Sequence, residues 1–131
     1  MRNILCISFY GAAWGGSFIP AMLALEQEAA ARGVGLTFVF PLMGQKQPWA
    51  KSFPDALWID NRFFLKRGLS LNVVSQLVKV MRRLRITDIV TNFVGYNANM
   101  RILCVIYRGG VFAGGSQHFS FAKSHMVETQ T

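Results

Sequence analysis

The sequence predicts one α/β domain: a parallel, Rossmann-like sheet with helices on both faces. Three observations lead to this fold class. Residues 4–10 are apolar almost throughout, which is typical of a strand buried on both faces. A turn containing Gly15 and Gly16 and then a helical segment follow, and residues 36–40 form a second apolar segment. A strand, a crossover helix and a further strand make a βαβ unit, in which the two strands are parallel.

The first helix is expected to begin after Ser17, a residue type that often caps helices, and to stop at Gly33. Its apolar side is formed by residues that recur at helical spacing: Phe18, Met22, Leu25 and Ala29. Residues 42–54 contain several glycines and prolines and are expected to form a loop in which Trp49 serves as an anchor. Residues 56–59 then give a short third strand.

A second amphipathic helix is predicted over residues 71–85, with Ser70 as its cap. Residues 89–93 follow as another strand. The third helix is expected over residues 100–107, and either Asn97 or Asn99 can cap it.

The last segment of the chain is less regular. Residues 111–121 can hold one more strand, although their glycines weaken the pattern. We therefore place the domain at residues 1–121 and interpret residues 122–131 as a polar, frayed tail.

Composition limits the function classes. The net charge of +8 favours an anionic partner, such as phosphate groups, nucleic acid or a membrane surface. The apolar segments are shorter than the roughly 18 residues of a membrane-spanning helix. Arg2 and the apolar residues after it loosely imitate a secretory signal, but the following helix fits the fold better. Cys6 and Cys104 lie in apolar segments, which favours buried, reduced thiols in a cytoplasmic protein over a disulfide.

The turn before the first helix is the first candidate site, because backbone amides there can approach a phosphate or a polyol. Its glycines, at positions 11, 15 and 16, match neither the dinucleotide fingerprint nor the phosphate-binding loop of nucleotide hydrolases. We expect no cofactor. The cysteines and the two histidines, His118 and His125, have no metal-ligand spacing, so no metal is predicted. A tight strand-to-helix connection without a ligand is an alternative of equal weight.

Basic residues are concentrated in residues 61–87, and this segment contains no acidic residue. A solvated helix face is the simplest interpretation. The more specific interpretation is a membrane-surface patch, in which apolar side chains among the cations insert into the membrane surface. The residues assigned to that patch are Arg62, Phe63, Phe64, Lys66, Arg67, Arg82 and Arg83. No nucleic-acid-binding motif accompanies the charge, so no nucleic acid is expected as a partner.

Two segments, covering roughly half of the chain, carry a family resemblance. The first, ILCISFYGAAWGGSFIPAMLALEQEAAARGVGLTFVFP, has an apolar strand, a Gly-Gly turn, a helix and a second apolar strand that ends at a proline. The second, VVSQLVKVMRRLRITDIVTNFVGYNA, has a helix, a short link, an Asp-Ile-Val strand and a glycine-aromatic loop. Together they resemble the N-terminal domain of GT-B glycosyltransferases of the large retaining family-4 type.

The resemblance implies two sets of site residues. The residues facing the donor phosphate would be Gly15, Gly16 and Ser17. The residues facing the acceptor would be Thr91, Asn92, Phe93 and Tyr96. Many members of the family have histidines in this strand-end motif, where this chain has Thr91 and Phe93. Histidine chemistry therefore does not transfer, and no catalytic residue is assigned.

In the family, a second Rossmann-like domain with an E-x7-E type motif holds the nucleotide sugar, and this sequence has no counterpart of it. The resemblance therefore implies the acceptor-side half of a glycosyltransferase, inactive without its donor domain. The complete enzyme would transfer a sugar from a nucleotide-sugar to a glycan or lipid-linked acceptor at the cytoplasmic face of a membrane. Two alternatives remain open: a stand-alone module that binds a phosphorylated small molecule, and a pseudo-enzyme or interaction domain.

Overall fold

Four parallel strands form the centre of the molecule in the order β3-β2-β1-β4. The computed structural model describes residues 2–65, 68–94, 97–108, 117–122 and 125–130. The parallel strands are β1 Asn3–Ser8, β2 Gly35–Pro41, β3 Leu57–Ile59 and β4 Asp88–Asn92. The helices are α1 Phe18–Ala31, α2 Leu71–Leu84 and α3 Ala98–Arg108. The predicted α/β class with a parallel, Rossmann-like sheet is confirmed.

Helices cover both faces of this sheet because successive side chains of each strand point to opposite sides. On β1, Leu5 and Ile7 pack with α2 and α3, whereas Cys6 packs with α1. Phe38 and Phe40 of β2 extend the α1 side of the core. Neither cysteine forms a disulfide, as expected, and Cys104 lies in the core on the side opposite Cys6.

The ends of the helices follow local backbone chemistry. Gly33 has φ +69° directly after α1, a conformation that glycine adopts without a steric cost. The amide of Val34 then donates to the carbonyl of Ala29 over 2.9 Å and closes the helix. At the start of α3, the Asn97 side chain accepts hydrogen bonds from the amides of Asn99 and Met100, which identifies Asn97 as the cap.

The sheet continues beyond β4 with two antiparallel strands, β5 Gln117–Ala122 and β6 His125–Gln130. Residues 117–121 of the strand predicted at 111–121 belong to β5, which runs antiparallel to β4, and residues 111–116 lie outside the described residues. Residues 125–130 differ from the predicted frayed tail, because the backbone of β6 pairs with β5. The predicted boundary at residue 121 accordingly falls inside β5.

The predicted membrane-surface patch is wrong for two of its residues. Residues Asn61–Phe64 form a 3₁₀ turn that turns Phe63 and Phe64 into the core, where they are 0% and 5% exposed. The Phe64 ring stacks on Phe9 with 5.0 Å between the ring centroids. Buried rings cannot insert into a bilayer. Lys66 and Arg67 lie outside the described residues.

The three other patch residues are exposed cations. Arg62 pairs with Asp60 over 2.9 Å, and hydrogen bonds from the Arg62 side chain lower the pKa of that carboxyl. Arg82 and Arg83 lie on the outer side of α2. Within the described part of the chain, none of the helices has the length and apolar character that crossing a membrane requires.

Candidate functional site at the carboxyl ends of β1 and β4

The strand order places a switch point between β1 and β4. The chain passes from β1 to β2 and β3 on one side of β1, whereas β4 lies on the other side. The connections that leave β1 and β4 therefore diverge, and open α/β sheets bind their ligands in the crevice that results. Ser8 and Asn92 are the last residues of the two strands and stand opposite each other in register. This carboxyl edge is the candidate site.

A polar cluster closes the floor of this edge. The Asn92 side-chain amide donates to Ser8 Oγ over 3.2 Å and to Cys6 Sγ over 3.5 Å. Ser8 is fully buried, and its side chain lies on the α1 side of the sheet with those of Cys6 and Asn92. The amide of Phe9 donates to the carbonyl of Asn92 over 3.0 Å. The two strand ends are thus joined through both backbone and side chains.

The Cys6 thiol has a structural role in this cluster. Burial raises its pKa to about 11, although the hydrogen bonds of Ser8 and Asn92 partly oppose this rise. At neutral pH the sulfur therefore remains a protonated thiol. The thiolate is the nucleophilic form of cysteine, so a buried, protonated Cys6 fits a packing role in the core.

The predicted donor-facing residues lie at the start of α1. Gly16 has φ +55°, which any L side chain adopts only with strain. The carbonyl of Gly15 accepts from the amide of Ile19 and opens the helix. Ser17 occupies the cap position, but its side chain makes no capping hydrogen bond, and the first turn has no acidic residue. Because α1 follows β1 in the chain, the positive end of its dipole faces the carboxyl edge, and neither a capping side chain nor an acidic residue offsets it.

Side chains from the connection after β2 hold the turn that leads into α1. Gln47 Nε2 donates to the carbonyl of Gly11 over 3.2 Å, and Trp49 Nε1 donates to the carbonyl of Ala12 over 2.8 Å. Trp49 is buried, which confirms its predicted role as an anchor. Because these carbonyls are satisfied within the protein, the turn is fixed before any ligand arrives.

Phe93 is the most unusual residue of the edge. Its backbone has φ +63°, a left-handed conformation that costs a bulky residue about 1–2 kcal/mol. Its ring centroid lies 5.0 Å from that of Phe18 and 6.1 Å from that of Tyr10, yet 58% of the residue is exposed. Strained residues of this kind cluster at ligand sites. The ring is held against the first turn of α1 while one side faces solvent.

The structure separates the predicted acceptor-facing residues. Asn92 and Phe93 lie at the carboxyl edge on the α1 side. Thr91 is fully buried and stands in register with Ile7, so that its side chain points to the side covered by α2 and α3. The alternation of side chains along β4 therefore excludes Thr91 from the crevice. Tyr96 lies outside the described residues.

Sequence reasoning missed the extent of exposed apolar surface at this edge. Six large hydrophobic side chains in the connections after β1, β2, β3 and β4 are exposed: Trp14, Leu42, Met43, Leu65, Leu69 and Phe93. We call this group the carboxyl-edge face. Trp14 reaches 80% exposure. Their positions in the sequence could have revealed this surface, since each of these residues follows the end of a strand.

A pair of buried asparagines supports one part of this face. Asn97 Nδ2 donates to the carbonyls of Phe63 and Leu65 over 2.8 and 2.9 Å. Asn99 Nδ2 donates to the carbonyls of Phe63 and Gly68 over 3.2 Å each. The side-chain carboxamides of Asn97 and Asn99, at the start of α3, therefore also hold the segment between β3 and α2 in place. The sequence indicated these residues as caps and gave no sign of this second role.

Among the described residues, no group of three or more His, Cys, Asp or Glu side chains is placed to hold a metal ion. In comparisons with known proteins, no family model, no curated protein and no solved structure matches the chain.

Proposed function

We propose that this chain is the acceptor-side half of a GT-B-type glycosyltransferase, with its carboxyl edge as one wall of the cleft. The observation that carries the proposal is Phe93, which is strained, exposed and packed against the first turn of α1 at the β1–β4 switch point. This is where open α/β sheets bind ligands. The resemblance in the two sequence segments supports the same assignment.

The chemistry of this wall suits a sugar acceptor. Phe93 and Trp14 present exposed aromatic rings, and binding sites for small molecules combine such apolar surfaces with a few polar groups that fix orientation. The C–H face of a sugar ring packs on an aromatic ring, while its hydroxyl groups need hydrogen-bond partners. The half-buried Asn92 carboxamide and the amides at the start of α1 are the polar groups at hand.

The carboxyl-edge face also supports a second domain on the opposite side of the cleft. All six of its exposed side chains lie in connections that leave the same edge of the sheet, where a docking domain would contact them together. In the proposed enzyme, a donor domain covers part of this face and supplies the nucleotide-sugar site. The acceptor is a glycan or a lipid-linked sugar, and the complete enzyme works at the cytoplasmic face of a membrane with peripheral contact.

Ligand-observed NMR with the purified chain tests the acceptor wall. The probes are maltotriose, cellotriose and chitotriose, with UDP-glucose as the donor probe. At least one oligosaccharide is expected to receive saturation from the protein, and UDP-glucose is expected to receive none. The variant Trp14→Ala removes an 80% exposed ring, so it should abolish the sugar signal without lowering stability. Leu25→Ala on the outer side of α1 is the matched control, because Leu25 is also exposed.

Two results would contradict this proposal. Strong binding of UDP-glucose by the chain would place a donor site where the proposal has none. Equal loss of the sugar signal in Trp14→Ala and Leu25→Ala would show that the signal does not come from the carboxyl edge.

A second candidate function is a stand-alone module that binds a phosphorylated small molecule. The observation in its favour is the start of α1, where Gly16 is left-handed and neither a capping side chain nor an acidic residue occupies the positive end of the helix. Inorganic phosphate and glucose 6-phosphate are the probes. This function predicts amide shifts at Gly16 and Ser17 on titration, and Gly16→Ala should reduce them.

A third candidate, an interaction or pseudo-enzyme domain, uses the carboxyl-edge face without any small ligand. It predicts stable association with another protein and no response to sugars or phosphates. Gel filtration of the chain with and without a co-expressed donor domain separates it from the transferase, since a complex without transfer activity supports the interaction role.

A further inference from the structure

The outer sides of α2 and α3 form a continuous surface away from the carboxyl edge. A groove of about 310 Å³ runs between the helices. Ile106 of α3 lines it together with six α2 residues: Leu71, Val74, Ser75, Val78, Lys79 and Arg82. On its other side, Ile106 borders a depression of about 350 Å³ lined by Ala98, Arg101, Ile102 and Val105. We call this surface the α2–α3 face.

Apolar side chains project from this face into solvent. Leu71 is 56% exposed, Val105 57% and Ile106 51%. All three are aliphatic, and the groove that Leu71 and Ile106 line also contains the cations Lys79 and Arg82. This combination of exposed aliphatic groups and cations is typical of helices that lie at a membrane interface.

The charge on the face has one sign. Neither α2 nor α3 contains an acidic residue, and Lys79, Arg82 and Arg83 are exposed on α2. The salt bridges of the described residues involve other cations: Arg2, Arg32 and Arg62. The α2 cations Lys79, Arg82 and Arg83 are exposed and belong to none of these salt bridges, so they are accessible to an external partner.

We propose that the α2–α3 face binds the surface of an anionic lipid bilayer. Leu71, Val105 and Ile106 insert among the headgroups, while Lys79 and Arg82 contact lipid phosphates. This proposal rests on the membrane setting of the proposed function and deepens it by naming the surface. It replaces the patch predicted around Phe63 and Phe64, which the core conceals.

Charge favours a bilayer over the other occupants. A second copy of the chain would meet this face through a two-fold axis, which sets identical cationic surfaces against each other. Single-stranded nucleic acid is bound by aromatic side chains that stack on bases, and the exposed apolar residues here are aliphatic. An anionic bilayer supplies both negative charge and an apolar layer for aliphatic side chains.

Sedimentation with vesicles tests the proposal on the full chain. Vesicles of phosphatidylcholine are compared with vesicles that also contain phosphatidylglycerol, at rising salt. Binding is expected to require phosphatidylglycerol and to weaken as salt screens the cations. Each neutralised cation should weaken binding by about fivefold, so Lys79→Gln/Arg82→Gln should lose about 30-fold. Val105→Ser/Ile106→Ser should lose binding to phosphatidylglycerol vesicles while its far-UV spectrum stays native.

The controls remove the same number of positive charges, or an exposed aliphatic side chain, elsewhere on the molecule. Lys46→Gln/Lys51→Gln removes two exposed lysines from the connection after β2, and Leu25→Ser removes an exposed leucine from α1. Equal losses in the control and face variants would overturn the proposal, as would binding without a preference for phosphatidylglycerol. Binding to polyuridylate or to an acidic protein, with no vesicle binding, would also overturn it. The α2–α3 face variants are expected to keep the oligosaccharide signals of the NMR experiment. Failure of the membrane proposal can therefore be distinguished from failure of the glycosyltransferase proposal.

Discussion

The Asn92 amide donates to Ser8 Oγ over 3.2 Å and links the carboxyl ends of two neighbouring strands that are more than eighty residues apart in sequence. Asn92 precedes the strained Phe93, and Ser8 precedes the turn into α1. The bond therefore fixes the relative position of the two chain segments that form the candidate site. It also supplies a donor to a hydroxyl that is fully buried.

The first prediction concerns this bond. In Asn92→Ala, the buried Ser8 hydroxyl loses its donor, and the free energy of unfolding is expected to fall by about 1–3 kcal/mol. Urea denaturation measures the difference. Gln76→Ala, on the exposed side of α2, is the control and should change stability by less than about 0.5 kcal/mol. Equal stability of Asn92→Ala and wild type would show that the bond contributes nothing to the fold.

The second prediction is a pH dependence caused by Cys6. Its pKa is about 11 in the folded protein and 9.0 ordinarily, so the folded state holds a proton that the unfolded state releases. This stabilisation is complete below about pH 9 and is lost as the pH rises towards 11, by at most about 3 kcal/mol.

Cys6→Ala isolates this contribution from other groups that titrate in alkali. The stability difference between wild type and Cys6→Ala, measured in urea, is expected to shrink as the pH rises from about 9 to about 11. Cys104→Ala serves as the control for loss of a buried thiol from the opposite side of the sheet. A constant difference over this range would contradict the raised pKa of Cys6.

Much of the fold could be predicted because its signals are local. The apolar segment that became β1, the glycine after α1 and the amphipathic pattern of α2 each act within one element. The site required long-range information. Thr91 and Asn92 are adjacent in sequence, but their side chains face opposite sides of β4, and the neighbouring strand decides which side is the site. The left-handed Phe93 likewise depends on the rings of Tyr10 and Phe18.

The third prediction uses the backbone of Phe93. Both Phe93→Gly and Phe93→Ala lose the ring contacts with Phe18 and Tyr10. At φ +63°, however, glycine has no steric cost, whereas alanine does. Phe93→Gly is therefore expected to be more stable than Phe93→Ala by about 1 kcal/mol, the reverse of the usual order. Urea denaturation of the two variants measures this difference, and a more stable alanine variant would show that residue 93 is not left-handed.

The fourth prediction separates burial from membrane insertion in the segment after β3. Phe64 is 5% exposed and stacks on Phe9, whereas its neighbour Leu65 is 46% exposed. Phe64→Ala leaves a cavity in the core and is expected to lower the free energy of unfolding by about 3–5 kcal/mol. Leu65→Ala should cost about 1 kcal/mol or less, because nearly half of this residue is already exposed to water.

Vesicle sedimentation completes this comparison. If Phe64 inserted into lipid, its replacement would reduce binding to phosphatidylglycerol vesicles while leaving urea stability near the wild-type value. Burial predicts the opposite: a large loss of stability, with vesicle binding unchanged at temperatures where the variant remains folded. The sequence pattern of aromatic residues among cations is the same in both cases. The structural difference between burial and insertion is the 3₁₀ turn, which directs Phe63 and Phe64 inwards. The side chains of Asn97 and Asn99 hold this turn by donating to the Phe63 carbonyl.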